Sequence, residues 1–288
     1  MSLSIVGYNF IETIYEDATT FVYRASREPE QGEVIIKTLK GEYPSLEQLT
    51  RLRHEYKILQ SLEIEGIAKP LSLENYKNGL ALILSGFGGE TLKKLINLQK
   101  SVELSKFLQI AIQLATILDQ LHQNKIIHKN IKPHNIITNE KTGQVRIIDF
   151  SISSCLSREN QTVTNPSLVE GTLAYMSPEQ TGRMNRSIDY RTDFYSLGVT
   201  FYEMLTGQLP FQATDPLELV HCHIAKTPVP LAEMGREGEG ERERIPKAVS
   251  DIVMKLLAKT AEERYQSALG LKADLEECLR QLQATEKI

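Results

Sequence analysis

The sequence predicts an α+β protein in two lobes, a small β-rich N-terminal lobe carrying one helix and a larger, mainly helical C-terminal lobe. Three observations carry this: β-patterned runs crowd the first 40 residues, glycines 86, 88 and 89 break the apolar pattern, and a long helical stripe begins near residue 102. The β-patterned runs are Ile5–Tyr15, Thr20–Ser26 and Glu33–Lys40, separated by turn-forming or polar residues, which reads as an antiparallel start. From Leu46 to Leu62, Leu49, Leu52, Tyr56 and Leu59 recur at helical spacing and make one amphipathic helix. Ile67–Asn75 and Gly79–Ser85 return to a strand pattern. The glycines then set the boundary, with residues 1–85 as the first lobe and 86–288 as the second.

In the second lobe, Phe107, Ile110, Leu114, Ile117 and Leu121 line one face of a helix from about Val102 to Asn124, a core element. Further helices are expected over Tyr190–Gly207, Pro246–Thr260 and Ala268–Leu282. Met234–Ile245 is rich in glycine and charge with almost nothing apolar, and reads as a mobile loop that a protease would cut before the Ser157–Val169 segment. No internal repeat stands out.

Bulk properties narrow the function. A chain of 288 residues, 41% hydrophobic, can bury a large core, and its length suits one bilobal unit or two small domains. The formal net charge of -4, with Lys and Arg spread along the chain, argues against a nucleic-acid partner. Cys155, Cys222 and Cys278 lie far apart, which suits reduced thiols better than a disulfide framework. No basic start precedes an apolar run and no stretch is apolar enough to span a bilayer, so the expectation is a cytoplasmic protein without a membrane partner.

The chemistry-bearing motifs come in a fixed order: Val-Ile-Ile-Lys ending at Lys37, a helical glutamate in Arg53-His54-Glu55, His128-x-x-x-Lys132-x-x-Asn135, Asp149-Phe150, then Gly171–Gln180 and Asp193–Phe211. Together they resemble the protein kinases of the serine/threonine type over nearly the whole chain. The stretches Ser157–Gln161, Glu170–Phe211 and Ile245–Glu276 are similar, more narrowly, to large cyanobacterial signalling proteins. In those a kinase-like domain precedes an ATPase-like segment, a GAF domain and often a histidine kinase. That similarity implies a first module of a longer chain, with the other domains of that chain, and an unknown protein substrate or partner, as its partners.

The resemblance implies ATP and magnesium as cofactors and a role for each matching residue. Lys37 would neutralise the α- and β-phosphates and Glu55 would pair with it, since an unpaired ammonium in so apolar a strand is costly. Asn135 and Asp149 would hold magnesium through hard oxygen ligands. Adenine would contact backbone at Ser85 and Phe87 after Leu84, between Ile14, Val22, Ile35 and Ile137. Lys132 matches the serine/threonine class. Glu179 and Arg264 match a buried ion pair of the large lobe, and Asp193 matches the aspartate that braces the catalytic loop. His221 and His223 flank Cys222, but two residues apart on a helix they splay to different faces, which disfavours a metal site.

Departures from the family pattern decide the reading. Asn130 occupies the catalytic-base position, and an amide cannot take the proton of the substrate hydroxyl; general-base contributions are typically about 10²- to 10⁴-fold. Tyr15, Asp17 and Thr20 replace the three glycines of the phosphate-binding loop, and Asp17 would repel a phosphate by about 3 kcal/mol per unit charge at roughly 5 Å before screening. Read without the family, the same residues make an ordinary β-turn with a solvated Asp17. Ser151 follows Asp-Phe in place of glycine, and Lys129 replaces the arginine that would fork onto a phosphorylated loop, so Thr162, Thr164 and Ser167 gain little support as phosphosites. The expectation is a pseudokinase or strongly impaired kinase acting as a signalling module. The alternatives are an active serine/threonine kinase and, less favoured by the motifs, a small-molecule phosphotransferase of related fold.

Overall fold

The computed structural model describes residues 5–28, 32–155, 173–184, 186–234 and 245–285. The segments 157–169 and 235–244, on which the expectations of mobility and phosphorylation fall, lie outside the described residues. The chain divides into two compact units, Met1–Glu90 with Ile137–Ile152, and Thr91–Ile136 with Ser153–Ile288.

In the first unit, β1 (Tyr8–Glu16), β2 (Thr20–Arg27), β3 (Glu33–Leu39), β4 (Pro70–Tyr76) and β5 (Gly79–Ser85) form one sheet in the order β1-β2-β3-β5-β4. Every pairing within it is antiparallel. Because strand side chains alternate between faces, the sheet sorts its residues into two sets. Tyr23, Ala25, Val34, Ile36, Ala81 and Ile83 form a buried apolar cluster with Ile5. The alternate positions, Val22, Arg24, Ile35, Lys37, Leu82 and Leu84, are brought opposite one another by register on the other face. The single helix α1 (Leu46–Gln60) starts at a capping box: Ser45 Oγ accepts from the Gln48 amide while Gln48 Oε1 accepts from the Ser45 amide. Its buried face carries Leu52, Glu55, Ile58 and Leu59, so a carboxylate sits in the middle of an apolar stripe.

Chain passes out of the sheet through a segment that only glycine permits. The Gly86 amide donates to Glu33 O at 2.8 Å, and a Cβ at Gly86 would collide with that same backbone. The strand β6 (Glu90–Thr91) follows. Later the chain re-enters the first unit, where β7 (Ile136–Thr138) and β8 (Val145–Ile147) pair across a turn and the Ile147 amide donates to Gly66 O at 2.9 Å.

The second unit is helical: α2 (Leu92–Gln99), α3 (Leu104–Gln123), α4 (Arg191–Thr206), α5 (Pro216–Ala225), α6 (Lys247–Leu256) and α7 (Ala268–Thr285). The stripe on α3 is buried along its length, from Phe107 to Leu121. Helix α4 is buried from Thr192 to Leu205, covered on every face. Gly198 makes that feasible, because a Cβ there would come within 2.7 Å of Leu256 Cβ on α6. Arg264 binds Glu179 through both terminal guanidinium nitrogens, at 2.6 and 2.8 Å, and this buried pair is the expected one. No helix among the described residues is long and apolar enough to cross a membrane.

Candidate active site

Lys37 is 8% exposed, and its ammonium binds Glu55 Oε2 and Asp149 Oδ1, each at 2.7 Å. β3 places Lys37, the buried face of α1 places Glu55, and the turn after β8 places Asp149. Burial alone would lower the Lys37 pKa, but the Asp149 and Glu55 carboxylates outweigh it and hold the ammonium firmly charged. Glu55 is itself fully buried, and its second oxygen accepts from the Phe150 amide at 3.1 Å. Asp149 adopts φ +68°, left-handed for a non-glycine residue, and Ser151 Oγ donates to its Oδ1 at 2.8 Å. Such backbone costs on the order of 1–3 kcal/mol and persists where surrounding bonds overdetermine it. Ser151, where the family pattern has glycine, supplies one of those bonds.

The expected adenine walls lie on the same unit. Val22, Ile35, Leu84 and Ile137 are buried, Ile35 lies opposite Leu84, and Ser85 and Phe87 are half-buried. The Ser85 amide donates to Lys69 O at 2.8 Å, and Phe87 O accepts from Asn139 Nδ2 at 3.1 Å. A carbonyl keeps a second lone pair, so the Phe87 bond does not exhaust it. Ile14 falls at a β-bulge between Thr13 and Tyr15, with no cross-strand partner, and the position opposite Val22 belongs to Tyr15. Tyr15, matched in sequence to the first glycine of the phosphate-binding loop, thus lies on this face opposite Val22.

In the second unit, the loop His128–Asn135 is held from beneath by Asp193. Its Oδ2 accepts from the His128 amide at 3.0 Å and its Oδ1 from the Lys129 amide at 2.8 Å, with His122 Nε2 at 3.0 Å as a third partner. Burial opposes the charge on Asp193, but His122 and the loop amide more than compensate and keep its carboxyl below the ordinary range. Lys129 takes φ +64°, and its carbonyl accepts from Gln180 Nε2 at 2.9 Å. Asn130 and Lys132 are each 7% exposed, and Asn135 Nδ2 donates to Asn130 O at 2.9 Å. Asn135, in this unit, and Asp149, in the first, each carry a side-chain oxygen of the hard type that magnesium takes. Burial, then Lys132 and Lys93, push His134 down to about 4.

Sequence reasoning missed His122, Asn139 and the direct Lys37–Asp149 bond. The first two sit in ordinary helical and turn contexts, and nothing in their spacing marks them. His221 is exposed, whereas His223 is buried and within 3.0 Å of the Tyr195 hydroxyl, so the two histidines occupy different environments.

Comparison with known proteins agrees with this geometry. The family model described as protein kinase domain matches residues 8–275. A probable serine/threonine-protein kinase of Clostridium perfringens is 30% identical over 270 residues, 93% of this chain and 38% of that protein. The serine/threonine-protein kinase PknB of Mycobacterium tuberculosis is 32% identical over 194 residues, 67% of this chain and 29% of its own length. The hybrid signal transduction histidine kinase G of Dictyostelium discoideum is 33% identical over 242 residues, 61% of this chain but 7% of that protein. The chain therefore spans well under half the length of these relatives. With a matched family model, the motif order and the Lys37–Glu55 pair all in agreement, the chain belongs to the protein kinase family, serine/threonine type.

Proposed function

We propose that the chain is a kinase-like regulatory domain of a longer signalling protein, with an ATP site of low affinity and little or no phosphoryl transfer. The observation that carries this is Asn130. The loop around it keeps its supports, with Asp193 under His128 and Lys129 and with Asn135 bonded to the Asn130 carbonyl, so the departure is one of chemistry rather than of scaffold. A carboxylate there would accept the proton of a substrate hydroxyl; the amide does not.

On this reading the sheet face of the first unit would receive adenine between Val22, Ile35, Leu84 and Ile137, with backbone contacts at Ser85 and Phe87. Lys37 would meet the α- and β-phosphates, while Asn135 and Asp149 would hold magnesium, which when bound neutralises phosphate charge. Residues 1–85 and 86–288 would work as the lobes of one domain. Partial coverage of a hybrid histidine kinase supports a module attached to further signalling domains, the arrangement of the cyanobacterial proteins that the sequence resembles.

The second reading is an active serine/threonine kinase, favoured by the assembled Lys37–Glu55–Asp149 triad and by the kinases among the relatives. Radiolabelled phosphate transfer to a generic protein and to the domain itself separates the two. Asn130→Asp is expected to raise transfer by about 10²-fold or more, and adding Asp149→Ala to abolish the gain. Transfer by the unaltered chain at ordinary kinase turnover, about 1 to 100 per second, would establish the active-kinase reading instead.

A further inference from the structure

We propose that the Asp17 carboxylate is a built-in occupant of the phosphate seat, taking the backbone amides of the β1–β2 turn that a nucleotide would otherwise receive. The inference rests on the ATP-site reading above and names what limits its affinity. Asp17 Oδ1 accepts from the Thr19 amide at 2.7 Å, from the Thr20 amide at 2.8 Å and from Thr19 Oγ1 at 3.1 Å. Two amides of the turn therefore converge on one anionic oxygen, which is the way backbone amides cradle a phosphate oxygen.

The turn is also tied shut. The Asp17 amide donates to Thr20 O at 3.1 Å and the Lys40 amide to Thr19 O at 2.7 Å, while Lys40 Nζ bonds Glu16 at 2.6 Å and lies 4.5 Å from the centre of the Phe21 ring. Tyr15 precedes this turn on β1. It lies opposite Val22, which lies opposite Lys37, so the three form a row on one sheet face. Burial, then the Asp17 and Asp149 carboxylates, push its hydroxyl up to about 12, so it stays protonated beside Asp17. An incoming phosphate must displace an anion already bonded there and then face its charge.

The test measures binding of magnesium-ATP and of adenosine to the chain as given, to Asp17→Ala and to Asp17→Asn, with melting curves to show that each is folded. Alanine removes the acceptor without glycine's backbone freedom; asparagine keeps an oxygen on the turn amides but drops the charge. Asp17→Ala is expected to bind magnesium-ATP at least about tenfold more tightly, the size expected of freeing donors held by a charged acceptor. Adenosine, which has no phosphate, should bind all three within about twofold, and Asp17→Asn should gain less ATP affinity than Asp17→Ala. Unchanged ATP affinity in Asp17→Ala with adenosine still bound would overturn the inference and leave the nucleotide site standing. Equal gains in both variants would assign the effect to charge alone and overturn the occupied-amide account. If none of the three binds adenosine or ATP, the site reading fails along with the inference.

Discussion

Lys37 shows how a costly buried charge is turned to use. Its burial would favour the neutral amine, yet two carboxylates within hydrogen-bonding distance reverse the balance, and the charge is fixed in place at the centre of the sheet. Removing it leaves Glu55 and Asp149 facing one another without their cation, and breaking buried pairs in this way costs about 3–5 kcal/mol. Lys37→Met is therefore expected to lower the melting temperature as well as to abolish any stabilisation by magnesium-ATP. Thermal shift with and without nucleotide reads both effects. An unchanged nucleotide shift in a folded Lys37→Met protein would show that Lys37 makes no phosphate contact. Asn130 is the contrasting case, because its substitution is expected to change transfer far more than stability: the carbonyl that Asn135 holds belongs to the backbone and survives Asn130→Asp.

At the scale of elements, the large unit is tied by Arg264, which is 1% exposed and bridges three pieces of chain. It forks onto Glu179, its Nη1 also donates to Arg191 O at 2.9 Å at the start of α4, and its Nε donates to Ala258 O at 2.8 Å after α6. Burial resists the charge on Glu179, but the guanidinium overrides it and keeps the carboxyl below its usual range. Arg264→Leu would leave that buried carboxylate without its cation, held by the Thr192 hydroxyl at 2.7 Å, at a cost on the order of 3–5 kcal/mol. The double variant Glu179→Leu with Arg264→Leu should recover part of the loss, since neither charge is then left alone. Chemical denaturation of the single and double variants measures the difference, and a single variant as stable as the parent would contradict the tie.

For the whole molecule, the pH dependence of stability follows from groups that folding holds away from their ordinary values. Burial, then Lys259, pushes His223 down to about 4, so between its unfolded value near 6.5 and about 4 the unfolded chain binds a proton that the folded chain refuses. Stability from this group is complete above that window and falls with decreasing pH, by roughly 3 kcal/mol across it. His134 acts in the same direction, being lowered to about 4 as well. Glu179 and Asp193, with depressed carboxyl values, add a further loss below about pH 4, as the pH falls through their folded values. Melting temperature is thus expected to decline from about pH 6.5 downward, and His223→Gln to flatten the upper part of that decline. A melting temperature constant from pH 7 to 5 would show that His223 is not held neutral.

Much of this was legible in the chain itself. The short strand-patterned runs of β2, β3 and β5, and the period-3.6 stripe on α3, are local signals, because each is carried by the apolar residues of a single element that must avoid water. The order of Lys37, Glu55, Lys132, Asn135 and Asp149 was legible for the same reason, as each sits in a short motif of its own. Helix α2 was not, because at eight residues Leu92, Leu95 and Ile96 give too little periodicity to separate from a loop. What no local pattern could supply was the assembly. That Asp149 bonds Lys37, 112 positions away, that residues 137–152 pack with the first unit, and that His122 shares Asp193 with the loop all depend on distant segments meeting. The state of the β1–β2 turn belongs with these. The sequence marked Asp17 as a charge in the wrong place, and the bulge at Ile14, which sets Tyr15 opposite Val22, together with the turn's own amides determined where that charge went. Sequence determines which groups are present; only the tertiary fold decides which of them are already satisfied.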